Sequence, residues 1–180
     1  MYHGVLLGIR VVIFNVDEAR SLFKNGFYGK PFGIKKPRDA EFDAPLELSL
    51  LEAVYLMENN ALSVVGSNDA PISLEDLRKI ASENIPRFEM LYKVYRDLRS
   101  TGLVVRSGLK FGSDFAVYRY GPGIDHAPYL IHVYGENSAL DPVEIVRAGR
   151  LSHSVRKTFT VAAVGGNPKP RYIMFKWFKP

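Results

Sequence analysis

The stretch "RLSHSVRKTF", Arg150 to Phe159, places three cations, a histidine and two serines directly before the apolar run "TVAAV". Arg150, Arg156 and Lys157 are suited to binding a polyanion. A solvated basic helix end accounts for the same residues, so the stretch alone decides nothing. Two further side chains that handle protons stand upstream, Tyr118 in "DFAVYRY" and His126 in "GPGIDHAPY". Strand alternation puts Phe115 and Val117 on one face and Ala116, Tyr118 and Tyr120 on the other. Tyr118 is thus expected to project away from the core just before the chain breaks at "GPG". His126 falls between that loop and the next apolar run, a position where functional side chains are common. Taken singly, Tyr118 reads equally as a rim aromatic and His126 as an exposed loop histidine.

The elements that must carry these residues follow from periodicity and punctuation. Residues 1–83 read as a small mixed α/β unit. "GVLLGIRVVIFN" gives two short strands, "VDEARSLF" a small helix and "ALSVVG" another strand. "YGKPFGIKKPRDAEFDAP", residues 28–45, is a basic loop by its Pro and Gly content. "LELSLLEAVYLMENN" is predicted to be one helix, with Leu48, Leu51 and Tyr55 on a line, and Ser73 and Asp76 stand in capping-box positions for another.

Residues 84–180 read as a second unit, a sheet flanked by helices. "RFEMLYKVYRDLRSTG" is an amphipathic helix stopped by Gly102. "LVVRSG", "DFAVYRY", "PYLIHVY", "TFTVAAV" and "RYIMFKWF" are strands. A second helix starts with Asp141 as N-cap, Pro142 at the first position and Glu144 completing an Asp-x-x-Glu box. It is expected to reach about Lys157, burying Ile145, Ala148, Leu151 and Val155 and presenting Arg147, Arg150, Ser154 and Lys157. His153, at the edge of that cationic face, is expected to be structural.

Composition narrows the function. A net charge of +5 over 180 residues leans towards an acidic partner. The absence of cysteine removes disulfides, thiolate zinc sites and a cysteine nucleophile together. No apolar run approaches a bilayer's thickness and the N-terminus lacks a signal pattern, so a soluble cytoplasmic protein is expected.

Three motifs in order, "YRDLRSTGLVVRSGLKFGSDFAVY", "HAPYLIHV" and "RLSHSVRK", resemble the catalytic region of the archaeal tRNA-splicing endonucleases, and "LELSLLEAVYL" resembles their amino-terminal domain. The resemblance implies an α+β fold whose C-terminal sheet is restriction-endonuclease-like. It also implies a triad of Tyr118, His126 and Lys157 cutting precursor tRNA at a bulge–helix–bulge without metal or other cofactor, leaving 2′,3′-cyclic phosphate and 5′-hydroxyl ends. The chemistry is coherent: a base at the 2′-hydroxyl, an acid at the departing 5′-oxygen and positive charge on the phosphorane. Histidine exchanges its proton near neutral pH, which suits the acid. A phenol with a reference pKa of about 10 is about one part in a thousand ionised at pH 7, so a nearby cation such as Lys157 is expected to favour the phenolate.

The resemblance further implies that Arg150 and Trp177 sandwich a bulge base of an opposing site. The loop carrying Lys35 and Lys36 looks like the RNA-contacting insertion of crenarchaeal catalytic subunits. Self-assembling members carry an acidic loop where this chain has "VGGNPKPRY", which lacks a carboxylate. A heterotetramer of two such chains with two structural partners is therefore expected. Two alternatives remain at this level. One is a structural, RNA-positioning subunit. The other is a metal-dependent DNA nuclease, for which Asp114 and Asp125 have no accompanying Glu-x-Lys arrangement.

Overall fold

The computed structural model describes residues 1–35, 37 and 39–176. The chain forms two compact units, Met1–Phe88 and Glu89–Pro180, and each is a mixed α/β structure built on one sheet. Among the described residues, no helix is long and apolar enough to cross a membrane.

In the first unit, β1 (Tyr2–Leu7) and β2 (Arg10–Ile13) form an antiparallel hairpin with Val5 opposite Val12. Helix α1 (Val16–Lys24) is capped by the Asn15 side chain, which accepts the Glu18 N–H. After β3 (Lys30–Pro31) come β4 (Leu46–Ser49), α2 (Leu50–Glu58), β5 (Leu62–Val65), β6 (Pro71–Ile72) and α3 (Leu74–Asn84). The sheet order is β3-β4-β2-β1-β5-β6.

The helix predicted over "LELSLLEAVYLMENN" is instead a strand followed by a helix. Leu46 and Leu48 are fully buried, Glu47 between them is not, and β4 pairs with β2. That is a period of two, which wins over four residues because β2 supplies the ladder. Ser49 ends the strand and caps α2: its hydroxyl accepts the Glu52 N–H, and the Glu52 carboxylate accepts the Ser49 N–H. Glu52 is itself buried and also accepts the Gly29 N–H at 2.9 Å, which fastens one end of the 28–45 segment. Replacing Glu52 with alanine leaves buried donors without their acceptor, so a loss of about 2–3 kcal/mol is expected in chemical denaturation.

The second unit runs α4 (Phe88–Ser100), β7 (Val104–Ser107), a 3₁₀ turn at Leu109–Phe111, β8 (Phe115–Tyr118), β9 (Tyr129–Gly135), α5 (Pro142–Ser154), β10 (Thr158–Val164) and β11 (Arg171–Phe175). The strand order is β11-β10-β9-β8-β7. Strands β9 and β10 are parallel and need a crossover, which α5 provides. Leu130, Ile131 and Val133 of β9 and Phe159, Val161 and Ala162 of β10 are buried without alternation, as in strands covered on both faces. Tyr95 of α4 meets Phe115 with ring centroids 6.1 Å apart, and on the other face Val155 packs with Ala116.

Helix α5 departs from its predicted form twice. Leu151 is exposed, and Ser152 is the residue of this helix that is buried. Ile145, Ala148 and Val155 of the predicted stripe do face inward, joined by Gly149 and Ser152, and Leu151 is the member that turns out. The helix also stops at Ser154, three residues before Lys157.

Candidate active site

The early stop of α5 decides where Lys157 goes. Arg156 takes the left-handed conformation at φ 55°, its N–H bonds the His153 carbonyl at 3.0 Å, and the Lys157 N–H bonds the Ser152 carbonyl at 2.7 Å. This pair of bonds is a Schellman motif, made here with arginine where glycine is usual. Lys157 therefore leaves the cationic stripe of the helix. Its ammonium turns towards the sheet, donates to the Ala127 carbonyl at 2.7 Å and lies 5.2 Å from the centre of the Phe111 ring. The next residue, Thr158, donates its N–H to the Pro128 carbonyl at 2.8 Å, so β10 starts beside the end of the His126 loop.

Tyr118 ends β8. It does not project away from the core as alternation predicts. Its half-buried ring packs, together with Phe111 and Val155, on the cluster of Ala116, Ala127 and Leu130. His126 is exposed and precedes Ala127 in the chain. Lys157 thus bonds Ala127, the neighbour of His126, and Tyr118 packs on the cluster to which Ala127 belongs.

The electrostatics differ from the expectation that Lys157 favours the Tyr118 phenolate. Burial pushes the Tyr118 phenol above its ordinary value; Arg106 of β7 draws it down and Asp125 pushes it up. Arg106 acts from across the strand pair, opposite Ala116 and on the same face as Tyr118. Burial lowers the Lys157 ammonium below the ordinary lysine range; Asp125 opposes this and Lys110 adds to it. The free chain therefore holds a protonated phenol and a lysine primed to lose its charge early. Asp125, Arg106 and Lys110 escape sequence reasoning, because their influence runs through space between strands and turns. The one sequence signal was the position of Asp125 directly before His126.

Beside Lys157, an open cleft of about 830 Å³ lies between α5 and strands β10 and β11. Its walls include the stacked rings of Phe159 and Phe175, 4.9 Å apart, with Arg156, Lys157 and Lys176 among its lining residues. Arg150 is exposed on α5, while Arg147 on the same face pairs with Glu144 at 2.8 Å. Lys35 is exposed in the first unit. Lys36 and Trp177 lie outside the described residues. Among the described residues, no three His, Asp or Glu side chains gather as a metal ion would require.

Comparison with known proteins decides the family. The model of the tRNA intron endonuclease catalytic C-terminal domain matches residues 88–172, and that of the tRNA intron endonuclease N-terminal domain matches residues 2–78. The chain belongs to the tRNA intron endonuclease family. It is 57% identical to a tRNA-splicing endonuclease of Hyperthermus butylicus over the whole of both chains. A tRNA-splicing endonuclease of Sulfurisphaera tokodaii is 50% identical over 98% of each chain, and one of Saccharolobus solfataricus is 45% identical over 99% of this chain and all of its own. The catalytic-domain match takes in Tyr118 at the end of β8, His126 ahead of β9 and Lys157 directly ahead of β10.

Proposed function

We propose that the chain is the catalytic subunit of a tRNA-intron lyase that cuts precursor tRNA at bulge–helix–bulge sites by metal-independent attack of the 2′-hydroxyl. Tyr118 takes the 2′-hydroxyl proton, the 2′-oxygen bonds to phosphorus, and the bond to the 5′-oxygen breaks. His126 gives that departing oxygen its proton, and Lys157 neutralises charge on the phosphorane. The products are a 2′,3′-cyclic phosphate and a 5′-hydroxyl. Arg150 and Trp177 hold a bulge base, and Lys35 and Lys36 contact RNA backbone phosphates.

The observation that carries this reading is the convergence around Ala127: the Lys157 ammonium bonds its carbonyl, Tyr118 packs on the cluster it forms with Ala116 and Leu130, and His126 precedes it. Burial of Tyr118 makes its phenolate scarcer than about one part in a thousand at pH 7, yet a scarce phenolate is a strong base. Family membership supports the substrate class.

The active assembly is an α2β2 heterotetramer with a structural partner. Support comes from the β10–β11 connection, which carries no carboxylate and is fastened by Lys93, whose ammonium donates to the Gly165 and Asn167 carbonyls at 2.9 and 2.5 Å. The test is incubation with a bulge–helix–bulge RNA in EDTA, with product ends identified and mass followed by light scattering. Cyclic phosphate ends in EDTA, formed by a tetramer of this chain with its partner, are expected. Cleavage only on addition of Mg²⁺ contradicts the chemistry, and an active tetramer of this chain alone contradicts the assembly.

A further inference from the structure

The seven residues between Tyr118 and His126 would leave the two reacting groups loosely spaced if the loop were free. Asp125 closes that loop. Its carboxylate accepts the Arg119 N–H at 3.0 Å and the Gly121 N–H at 2.7 Å. Arg119 follows Tyr118 directly, and Asp125 directly precedes His126, so a single side chain ties the end of β8 to the start of the His126 segment. The Ile124 and Asp125 N–H groups add bonds to the Gly121 carbonyl, both at 3.1 Å, and Gly121 and Gly123 supply the positive φ angles of 137° and 89° that the tight path needs. Bonds from backbone N–H to an ionised carboxylate are among the stronger kind.

We propose that Asp125 is a positioning residue of the cleavage reaction: it fixes the spacing between Tyr118 and His126, and its negative charge favours the Lys157 ammonium. The proposal rests on the roles given above to Tyr118, His126 and Lys157. Its electrostatic half concerns a small set of groups. Asp125 and Lys110 act on Lys157, and Asp125 and Arg106 act on Tyr118. Lys110 sits 5.7 Å from the Phe111 ring whose centre is 5.2 Å from Lys157, so it works against the second ammonium. Asp125 is the carboxylate that offsets it.

The test compares wild type, Asp125→Asn and Asp125→Glu under single-turnover conditions on a bulge–helix–bulge RNA, using the full chain in the assembly that cleaves. Asp125→Asn keeps the size and one acceptor but loses the charge. Its cleavage is expected to fall about tenfold or more through misplacement of the reacting groups, with RNA affinity within about twofold by filter binding. Its alkaline loss of activity should begin at lower pH than in wild type, since Lys157 no longer has the carboxylate that favours its charged form. Asp125→Glu retains the charge, and should be slower than wild type with an unmoved pH profile.

A wild-type rate and profile in Asp125→Asn overturns the proposal, and so does a slow variant whose profile has not moved. If thermal unfolding shows that Asp125→Asn does not fold at the assay temperature, Asp125→Glu decides: a wild-type rate there removes the positioning role, and a shifted profile removes the electrostatic one. A wild-type enzyme that leaves no cyclic phosphate would instead refute the underlying reading of the site, whatever Asp125 does.

Discussion

Replacing His126 with alanine is expected to slow cleavage by about 10²–10⁴-fold, the usual contribution of a general acid, while RNA affinity stays within about twofold. His126 is exposed, and no bond of its side chain supports the fold among those described, so its loss should leave stability nearly unchanged. A substrate with sulfur in place of the bridging 5′-oxygen separates the acid role from any other. A thiolate departs without a proton, so His126→Ala should recover most of its lost rate on that substrate. Wild-type cleavage by His126→Ala on the ordinary RNA, or no recovery with sulfur, would remove the assignment.

Loss of the Lys157 ammonium should be the other large effect. Lys157→Ala is expected to cost about 10²–10³-fold, the scale for removing one group that stabilises developing oxyanion charge. The sulfur substrate should not rescue it, because in the proposed mechanism the missing charge acts on the phosphorane rather than on the leaving group. Part of the cost is positional, since the bond from Nζ to the Ala127 carbonyl beside His126 is also lost.

The pH profile carries the sign. Burial first of all lowers the Lys157 ammonium below the ordinary lysine range, so its proton, and with it the stabilising charge, is lost as pH rises through that lowered value. Activity should therefore fall on the alkaline side before ordinary lysines titrate. The Tyr118 phenol is displaced the other way, so it is still largely protonated where that fall begins. Lys157→Arg keeps a charge that does not titrate in this range, and should retain partial activity with the alkaline descent absent. An unchanged descent in Lys157→Arg would show that some other group sets it.

Local chemistry made much of the architecture legible. Ser73 accepts the Asp76 N–H at 3.0 Å, Asp141 accepts the Val143 N–H at 2.8 Å with Pro142 following, and Gly102 ends its helix at φ 83°. These are contacts within a few residues, so residue type and spacing contain them. Errors arose where a partner distant in sequence decided the outcome. "LELS" has too few residues for period alone to separate strand from helix, and pairing with β2 settles it.

The order and identity of Tyr118, His126 and Lys157 were fixed by the amino-acid sequence alone, as were the two sheet-based units and the basic balance of charge. Tertiary structure decided what those residues can do. A left-handed arginine, which no glycine announces, ends α5 early and turns Lys157 towards Ala127. Packing on the cluster that contains this alanine goes with a half-buried phenol, and burial pushes its pKa up instead of down. The loop clasp by Asp125 likewise depends on where a carboxylate folds back upon backbone N–H groups four and six residues earlier. Burial and through-space charge are sums over neighbours from separate strands and turns, and a linear pattern does not contain them.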